Sequence, residues 1–373
     1  MKRLVCWLLI ILLLSSNVTV SAIQTSAKAA ILINADTGEV IYENNADQKL
    51  PMASTTKIMT AVLLLENADL STEITVTDQM LKVEGSSMGL LAGDKVTYND
   101  LLYGLLLASG NDAANVIAIT LGKTVNGFAN MMNNKAKQLG LKNTNFVTPS
   151  GLDADGHYTT ARDLAELTRY ALKNDEFLKA VSSESKVLNF GNPPYKRTVT
   201  NHNKLLKGFD KAIGVKTGFT KKSGRCLVSA ASEDQKTVIA VTLCDPDDWQ
   251  DHKSLLSYGL KAVSVNEILP DVEDYKIPVI GADTDLEIKI EPYVVSYLKN
   301  SDFKAVVELP KFVYAPIKVG EKIGTVTYKK GDVIIDKLDI VAKTDINRKV
   351  YKKSFIREIK ENFKYIISKI WEN

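Results

Sequence analysis

A serine and a lysine three positions apart, Ser54 and Lys57, are the first residues whose types and spacing suggest covalent chemistry. A helix is predicted from Ser54 to Glu66, because apolar residues recur at helical spacing after Pro51. On a helix this spacing places both side chains on one face, a turn apart. The positive end of the helix dipole disfavours a further positive charge, which favours a neutral Lys57 that accepts the Ser54 proton. Alone the motif is weak, since a capping serine beside a solvated lysine has the same sequence.

A second polar motif, Ser109-Gly110-Asn111, directly follows an apolar helical segment. The Ser109 hydroxyl can both donate and accept a hydrogen bond, so it can relay a proton between Lys57 and a leaving amine. The Asn111 amide is expected to bind the substrate backbone and to hydrogen-bond Lys57. The same tripeptide is also a common helix-capping turn, and alone it has little specificity.

The third motif, Lys216-Thr217-Gly218, ends a predicted strand. A strand edge can bind an extended peptide through its backbone, and Gly218 leaves room for that approach. Lys216 and Thr217 offer a cation and a hydroxyl to a substrate carboxylate. A cation here also lowers the pKa of Lys57 by repulsion between like charges. A surface turn is the alternative for this motif alone.

The three motifs together occur in the order SxxK, SxN, KTG, which is typical of penicillin-binding proteins and class A β-lactamases. The chain resembles the low-molecular-mass penicillin-binding proteins that act as serine D-alanyl-D-alanine carboxypeptidases. The resemblance is strong from about Ala27 to Leu260. Further segments that look like the family's framework are 35–38, 53–60, 85–89, 101–114, 150–153 and 158–164.

This resemblance implies an acyl-enzyme mechanism on peptidoglycan stem pentapeptides. Ser54 would attack the carbonyl between two D-Ala residues, and the backbone N–H groups of Ser54 and Phe219 would form the oxyanion hole. The terminal D-Ala would leave and water would hydrolyse the ester. β-Lactam antibiotics would acylate Ser54 as inhibitors. The expected catalytic residues are Ser54, Lys57 and Ser109, the substrate-binding residues are Asn111, Lys216, Thr217 and Gly218, and neither a metal nor another cofactor is expected.

One departure from the family concerns the substrate carboxylate. In many relatives an arginine on the strand after the KTG region binds it, whereas the segment from Leu243 to Trp249 contains none. Lys221, Lys222 and Arg225 are the candidate replacements, and the sequence does not choose among them. The variant resembles a branch linked with spore cortex maturation, which suggests a role in sporulation.

Three alternative functions share these motifs. A β-lactamase must deacylate quickly, but the segment from Asp153 to Tyr158 does not resemble the site of the glutamate that activates its water. A D,D-endopeptidase differs only in the room for its leaving group. A hydrolytically dead wall-binding protein would not need Ser54, Lys57, Ser109 and Lys216 together.

The histidines, the cysteines and the net charge limit other readings. His157 and His202 suggest a Ser-His-Asp triad, but the chain has no GxSxG, so both are interpreted as loop or hydrogen-bonding residues. Cys226 and Cys244 are interpreted as free thiols in preference to a disulfide. A formal net charge of +3 does not suggest nucleic-acid binding.

The elements that must position these residues predict an α+β fold, an antiparallel sheet covered by helices, as in the penicillin-binding and serine β-lactamase proteins. Strands precede the helices and return after them. Predicted strands are 29–34, 40–43, 213–217, 226–231 and 237–243, and predicted helices are 54–66, 99–108, one from 112, 128–139 and 161–172.

The ends of the chain predict export and attachment. Residues 1–22 have the basic start, the apolar core and the small-residue end of a cleaved signal peptide. The carboxypeptidase domain is expected over 23–270 and a small β-rich domain over 271–345. Residues 346–373 carry eight Lys or Arg and three Glu, and as a helix they gather apolar residues on one face. We therefore expect a protein at the outer face of the cytoplasmic membrane or in the wall, with this helix on the membrane surface or, alternatively, docked on protein.

Overall fold

A computed structural model describes residues 23–268, 274–290, 293–298, 303–349 and 354–371. The predicted signal peptide lies outside these residues. The chain divides into two compact units, of which the first runs to Ser264 and includes the short segment from Ser296, and the second begins at Val265.

The first unit contains the three motifs. Its elements in chain order are β1 (Ala29–Asn34), β2 (Val40–Asn44), a 3₁₀ helix (Ala53–Thr56), α1 (Lys57–Asn67), β3 (Glu73–Thr75), β4 (Lys95–Thr97), α2 (Tyr98–Leu106), α3 (Asn111–Gly122), α4 (Val125–Gln138), α5 (Ala161–Ala171), α6 (Asp175–Val181), β5 (Ser185–Gly191), β6 (Pro194–Thr200), α7 (Leu205–Gly208), β7 (Ala212–Thr220), β8 (Gly224–Glu233), β9 (Lys236–Leu243) and α8 (Asp248–Ala262).

The main sheet has the strand order β2-β1-β9-β8-β7, and every neighbouring pair is antiparallel. The α+β prediction is therefore confirmed, and β7, which carries the KTG motif, is an edge strand. The β5–β6 hairpin and the short β3–β4 pair form separate two-stranded sheets.

Alternate residues of β1 point to opposite faces of the sheet and join different hydrophobic clusters. Ile31 and Ile33 pack in the large cluster that contains the helices α1 to α6, whereas Leu32 packs with Leu255 and Leu256 of α8. Helices thus cover both faces. The first eight residues of α1 are all buried, as expected for a helix in the centre of a core.

The helix predicted from Ser54 starts differently from the expectation. Ala53 has a φ of +47°, and the Thr55 N–H donates to the Met52 carbonyl three residues back. The first turn is therefore a tighter 3₁₀ turn, and the α-helix begins only at Lys57.

The second unit is β-rich. The elements from Val263 onward are β10 (Val263–Ile268), β11 (Asp274–Ile277), β12 (Val279–Ile280), β13 (Leu286–Lys289), β14 (Tyr293–Leu298), β15 (Phe303–Glu308), β16 (Val313–Tyr314), β17 (Lys322–Lys330), β18 (Val333–Val341) and α9 (Ser354–Trp371). The sheets among these strands include β15-β17-β18, the antiparallel pair β11–β13 and the parallel pair β12–β16.

The tail helix α9 exposes a stripe of large apolar side chains, Ile356, Ile359, Phe363 and Ile367. Within the described parts of the chain, no helix is long and apolar enough to cross a bilayer.

Candidate active site

Ser54 and Lys57 lie one on each side of the junction between the 3₁₀ turn and α1. The Lys57 Nζ is 2.8 Å from the Ser54 Oγ, so the predicted contact between these two side chains is present. The Lys57 side chain is fully buried, whereas Ser54 lines an open cleft. The pair therefore connects the protein interior with the solvent-filled cleft.

Two further acceptors surround the Lys57 Nζ. The Asn111 Oδ1 and the Ser150 carbonyl oxygen each lie 2.7 Å away. Both atoms can only accept, so each takes one amine hydrogen. A neutral lysine has two hydrogens and one lone pair, and the lone pair then points at the Ser54 Oγ. This arrangement allows a neutral Lys57 to accept the serine proton.

The electrostatic surroundings favour the neutral form of Lys57. Burial is the largest cause that lowers its pKa well below the ordinary value, and repulsion from Lys216 adds to it, while Asp112 acts in the opposite direction. Lys216 is also buried, and burial lowers its pKa to about 7. The direction of this effect is the predicted one, because Lys216 lowers the pKa of Lys57.

The Ser150 carbonyl is held in place by contacts that the motifs do not reveal. The Thr60 hydroxyl donates to the Pro149 carbonyl at 2.6 Å, which ties this segment to α1. Gly151 has a φ of +86°, and a Cβ on it would meet the Ala53 carbonyl oxygen at 1.8 Å. Only glycine allows the segment to approach the 3₁₀ turn this closely.

His157 is part of this support and does not contact Ser54. The Val147 N–H donates to its Nδ1 at 2.9 Å, so the Nε2 carries the hydrogen and donates to the Thr56 hydroxyl at 2.8 Å. Burial lowers the pKa of His157 to about 4, which keeps the ring neutral. His157 is a buried hydrogen-bonding residue, as interpreted from the sequence.

The SxN motif forms the turn between α2 and α3. Ser109 adopts a φ of +56° and lines the cleft with Ser54. Asn111 is buried, and its Nδ2 donates to the Glu84 carbonyl at 2.6 Å, which fixes the amide with its oxygen toward Lys57. The predicted contact with Lys57 is thus present, while substrate binding by Asn111 stays a prediction.

The KTG motif lies on the edge strand β7 beside the 3₁₀ turn. A Cβ on Gly218 would meet the Ser54 backbone nitrogen at 3.0 Å, so the absent side chain lets this strand approach the serine. The Lys216 Nζ donates to the Thr217 carbonyl at 3.0 Å. Phe219, the last residue of β7 but one, is 66% exposed.

The cleft at Ser54 has a volume of about 470 Å³. Its lining combines the three motifs with residues that were not predicted, since Ser86, Asp248 and Trp249 also contribute. The lining residues are Ser54, Ser86, Ser109, His202, Thr217, Gly218, Phe219, Arg225, Asp248 and Trp249.

His202 lies nearer to the reacting groups than its interpretation as a loop residue suggested. It lines the cleft, and burial together with repulsion from Lys216 and Lys57 lowers its pKa. Cys226 and Cys244 are free thiols, and Cys226 is buried. The described residues contain no cluster of three or more His, Cys, Asp or Glu that could hold a metal ion.

An antiparallel sheet whose edge strand faces a serine–lysine pair is typical of the serine hydrolases related to penicillin-binding proteins. Two family models match the chain. Residues 16–247 match the peptidase family described as D-alanyl-D-alanine carboxypeptidase, and residues 278–348 match the C-terminal domain of penicillin-binding protein 5. The chain therefore belongs to the D-alanyl-D-alanine carboxypeptidase family and is a serine hydrolase.

Individual relatives agree with this assignment. The chain is 31% identical over 343 residues to the D-alanyl-D-alanine carboxypeptidase DacF of Bacillus subtilis, with 88% of each chain covered. It is 31% identical to DacC of Escherichia coli, covering 88% of this chain and 86% of the relative. Among solved structures, penicillin binding protein 5 of Haemophilus influenzae has a TM-score of 0.65 at 26% identity, covering 88% of this chain and 100% of the other. The family, the fold and the C-terminal β domain expected from the sequence are confirmed.

Proposed function

We propose that Ser54 is the nucleophile of this D-alanyl-D-alanine carboxypeptidase and that Lys57 is its general base. The contact of 2.8 Å between the Lys57 Nζ and the Ser54 Oγ carries this proposal. The two acceptors that occupy the other directions of the amine support it, because they leave the lone pair for the serine proton.

In the acylation step, the Ser54 Oγ forms a bond to the carbonyl carbon between the two D-Ala residues, and its proton passes to Lys57. The negative charge that develops on the carbonyl oxygen is stabilised by the backbone N–H groups of Ser54 and Phe219. The close approach of Gly218 to the Ser54 nitrogen supports this role, since Phe219 directly follows Gly218 in the chain.

The leaving amine then needs a proton before the C–N bond breaks. Ser109 lies in the same cleft as Ser54 and relays the proton from Lys57 to the amine nitrogen. The terminal D-Ala leaves, and water attacks the ester and regenerates the Ser54 hydroxyl. Lys216, Thr217 and Gly218 bind the stem peptide along the edge of β7, and Asn111 holds Lys57 and the substrate backbone.

The direct test measures D-alanine release by the purified protein from a synthetic stem peptide ending in D-Ala-D-Ala. We expect release that Ser54→Ala and prior treatment with penicillin both abolish, and a penicillin adduct on Ser54 in the peptide mass spectrum. A matched control is Ser182→Ala, which changes an exposed serine elsewhere in the same unit.

The other outcomes separate the alternatives. Stable penicillin labelling without D-alanine release indicates a binding protein, or an endopeptidase if cross-linked peptide dimers are cleaved. Rapid turnover of penicillin indicates a β-lactamase. Full activity in Ser54→Ala contradicts the proposed nucleophile.

We further propose that the protein is exported by its N-terminal segment and acts at the outer face of the cytoplasmic membrane, with α9 on the membrane surface. The exposed apolar stripe of α9 and the net positive charge of residues 346–373 support this. A role in sporulation remains a hypothesis, and normal cortex and resistance in spores of a deletion strain would contradict it. The domain boundaries near residues 270 and 345 also remain predictions.

A further inference from the structure

The substrate of this family ends in a free carboxylate, and the cleft needs a cation that can reach it. Lys57 and Lys216 are almost completely buried, and each Nζ is already bound to protein acceptors. Arg225 is different, because it lines the cleft and 41% of its side chain is exposed. A guanidinium also keeps its charge at every physiological pH.

The position of Arg225 matches the place where the carboxylate must lie. Arg225 is the cross-strand partner of Phe219 on the neighbouring strand β8. Side chains of such a pair emerge on the same face of a sheet, about 5 Å apart. If the Phe219 N–H binds the attacked carbonyl, the leaving D-Ala lies one residue further on, about 3.8 Å along an extended peptide. Its carboxylate is then within reach of the Arg225 guanidinium.

Two neighbours hold this guanidinium in one orientation. Its Nη2 donates to the Asp248 carboxylate, which is only 6% exposed, and its Cζ lies 5.7 Å from the centre of the Trp249 ring. The bond to Asp248 uses one edge of the Arg225 guanidinium, whose other N–H groups can donate to a second carboxylate. Asp248 also gives the arginine a counter-charge when the cleft is empty.

The other cations near the cleft are placed less well. Lys221 and Lys222 are exposed on the turn between β7 and β8 and do not line the cleft. His202 lines it, but burial and the repulsion from Lys216 and Lys57 lower the pKa of its ring, which disfavours the charged form that a carboxylate would need.

We propose that Arg225, positioned by Asp248 and Trp249, binds the C-terminal carboxylate of the stem peptide. This assignment rests on the proposed Ser54 mechanism, because the register of the substrate follows from the attacked carbonyl. Arg225 thus determines that the enzyme removes a terminal residue with a free acid.

The test compares two synthetic stem peptides that differ only at the C-terminus, one ending in D-Ala-D-Ala and one in D-Ala-D-alaninamide. For Arg225→Gln we expect kcat/KM for the free acid to fall by about 10- to 100-fold, as for the loss of a hydrogen bond to a charged group. We expect kcat/KM for the amide to stay within about threefold of the unsubstituted protein, and this shows that the variant is folded. Arg225→Lys should recover part of the lost rate, and Lys221→Gln and Lys222→Gln should leave both rates unchanged.

Equal losses on both peptides, or no loss on either, would overturn the assignment, and a selective loss in a lysine variant would transfer it to the turn. If the unsubstituted protein does not cleave the amide, acylation of Ser54 by benzylpenicillin and by its methyl ester gives the same comparison. Failure of the Ser54 mechanism would be visible separately, as the absence of D-alanine release from the unsubstituted protein.

Discussion

At the residue scale, the three hydrogen-bond partners of the Lys57 Nζ determine which proton this amine can accept. Two of them are polar groups that only accept, and the third is the serine hydroxyl. The motif predicted the serine and Asn111 as partners, because residue types are visible in a sequence. The Ser150 carbonyl was not predicted, since any residue can supply a backbone oxygen and only the fold brings it to the amine.

Lys216→Met tests the electrostatic coupling between the two buried lysines. The cation at Lys216 lowers the pKa of Lys57, so removing it should raise that pKa. Lys57 then stays protonated to higher pH, and the rising limb of the pH profile for penicillin acylation should move to higher pH. Because Lys216 has a pKa of about 7, its charge is present below that pH, and the difference between the proteins should be largest there.

The control for this measurement is Lys221→Met, which removes an exposed cation from the next turn and should leave the profile in place. A rising limb at the same pH in Lys216→Met would mean that Lys216 does not influence the base.

The element with the clearest supporting role is the loop from Ser86 to Leu90, whose first residue lines the cleft. The Asp112 carboxylate accepts hydrogen bonds from the N–H groups of Met88, Gly89 and Leu90 at 3.0–3.1 Å, and from the Ser87 hydroxyl. The Ser86 carbonyl in turn accepts from the Asn111 N–H at 2.7 Å. The loop and the start of α3 therefore hold each other in place.

Asp112→Ala should destabilise the protein by about 3 kcal/mol or more, because the buried N–H groups of Met88 and Leu90 lose their acceptor. Urea unfolding would measure this change, and D-alanine release should fall even at temperatures where the variant is folded, since Asn111 loses its support. Asp78→Ala, at an exposed position, should change the free energy of unfolding by less than about 0.5 kcal/mol. An unchanged free energy in Asp112→Ala would show that the loop is held by other contacts.

At the same scale, the strands of the main sheet could be predicted but the β5–β6 hairpin could not. β1, β8 and β9 are continuous apolar segments buried on both faces. In β6 only Val199 is buried and charged residues intervene, so no alternating pattern identifies a strand. The hairpin depends on pairing between its two strands, which local sequence does not report.

At the scale of the whole molecule, α9 exposes an apolar face that can bind a membrane surface or another protein. Replacing both Ile359 and Phe363 by Asp should weaken binding to anionic lipid vesicles by about 100-fold, because two exposed apolar side chains would no longer enter the interface. Sedimentation with vesicles would measure the binding, and D-alanine release from a soluble peptide should not change.

Asn362→Asp adds one negative charge beside the apolar stripe and serves as the control, with an expected loss of less than about tenfold. Equal vesicle binding by the double variant and the unsubstituted protein would favour the alternative that α9 docks on protein.

The open edge of β7 has a consequence for how the protein behaves at high concentration. An unpaired strand edge can pair with the edge of another chain as readily as with a short peptide, and proteins usually block such edges. Under the proposed mechanism this edge cannot be blocked, because the stem peptide pairs with the backbone beside Gly218. The exposed Phe219 side chain adds apolar surface at that edge, which favours association with another chain. Solubility therefore favours a covered β7 edge, whereas peptide recognition requires an open one. Protein whose cleft is occupied by a ligand should self-associate less than protein whose cleft is empty.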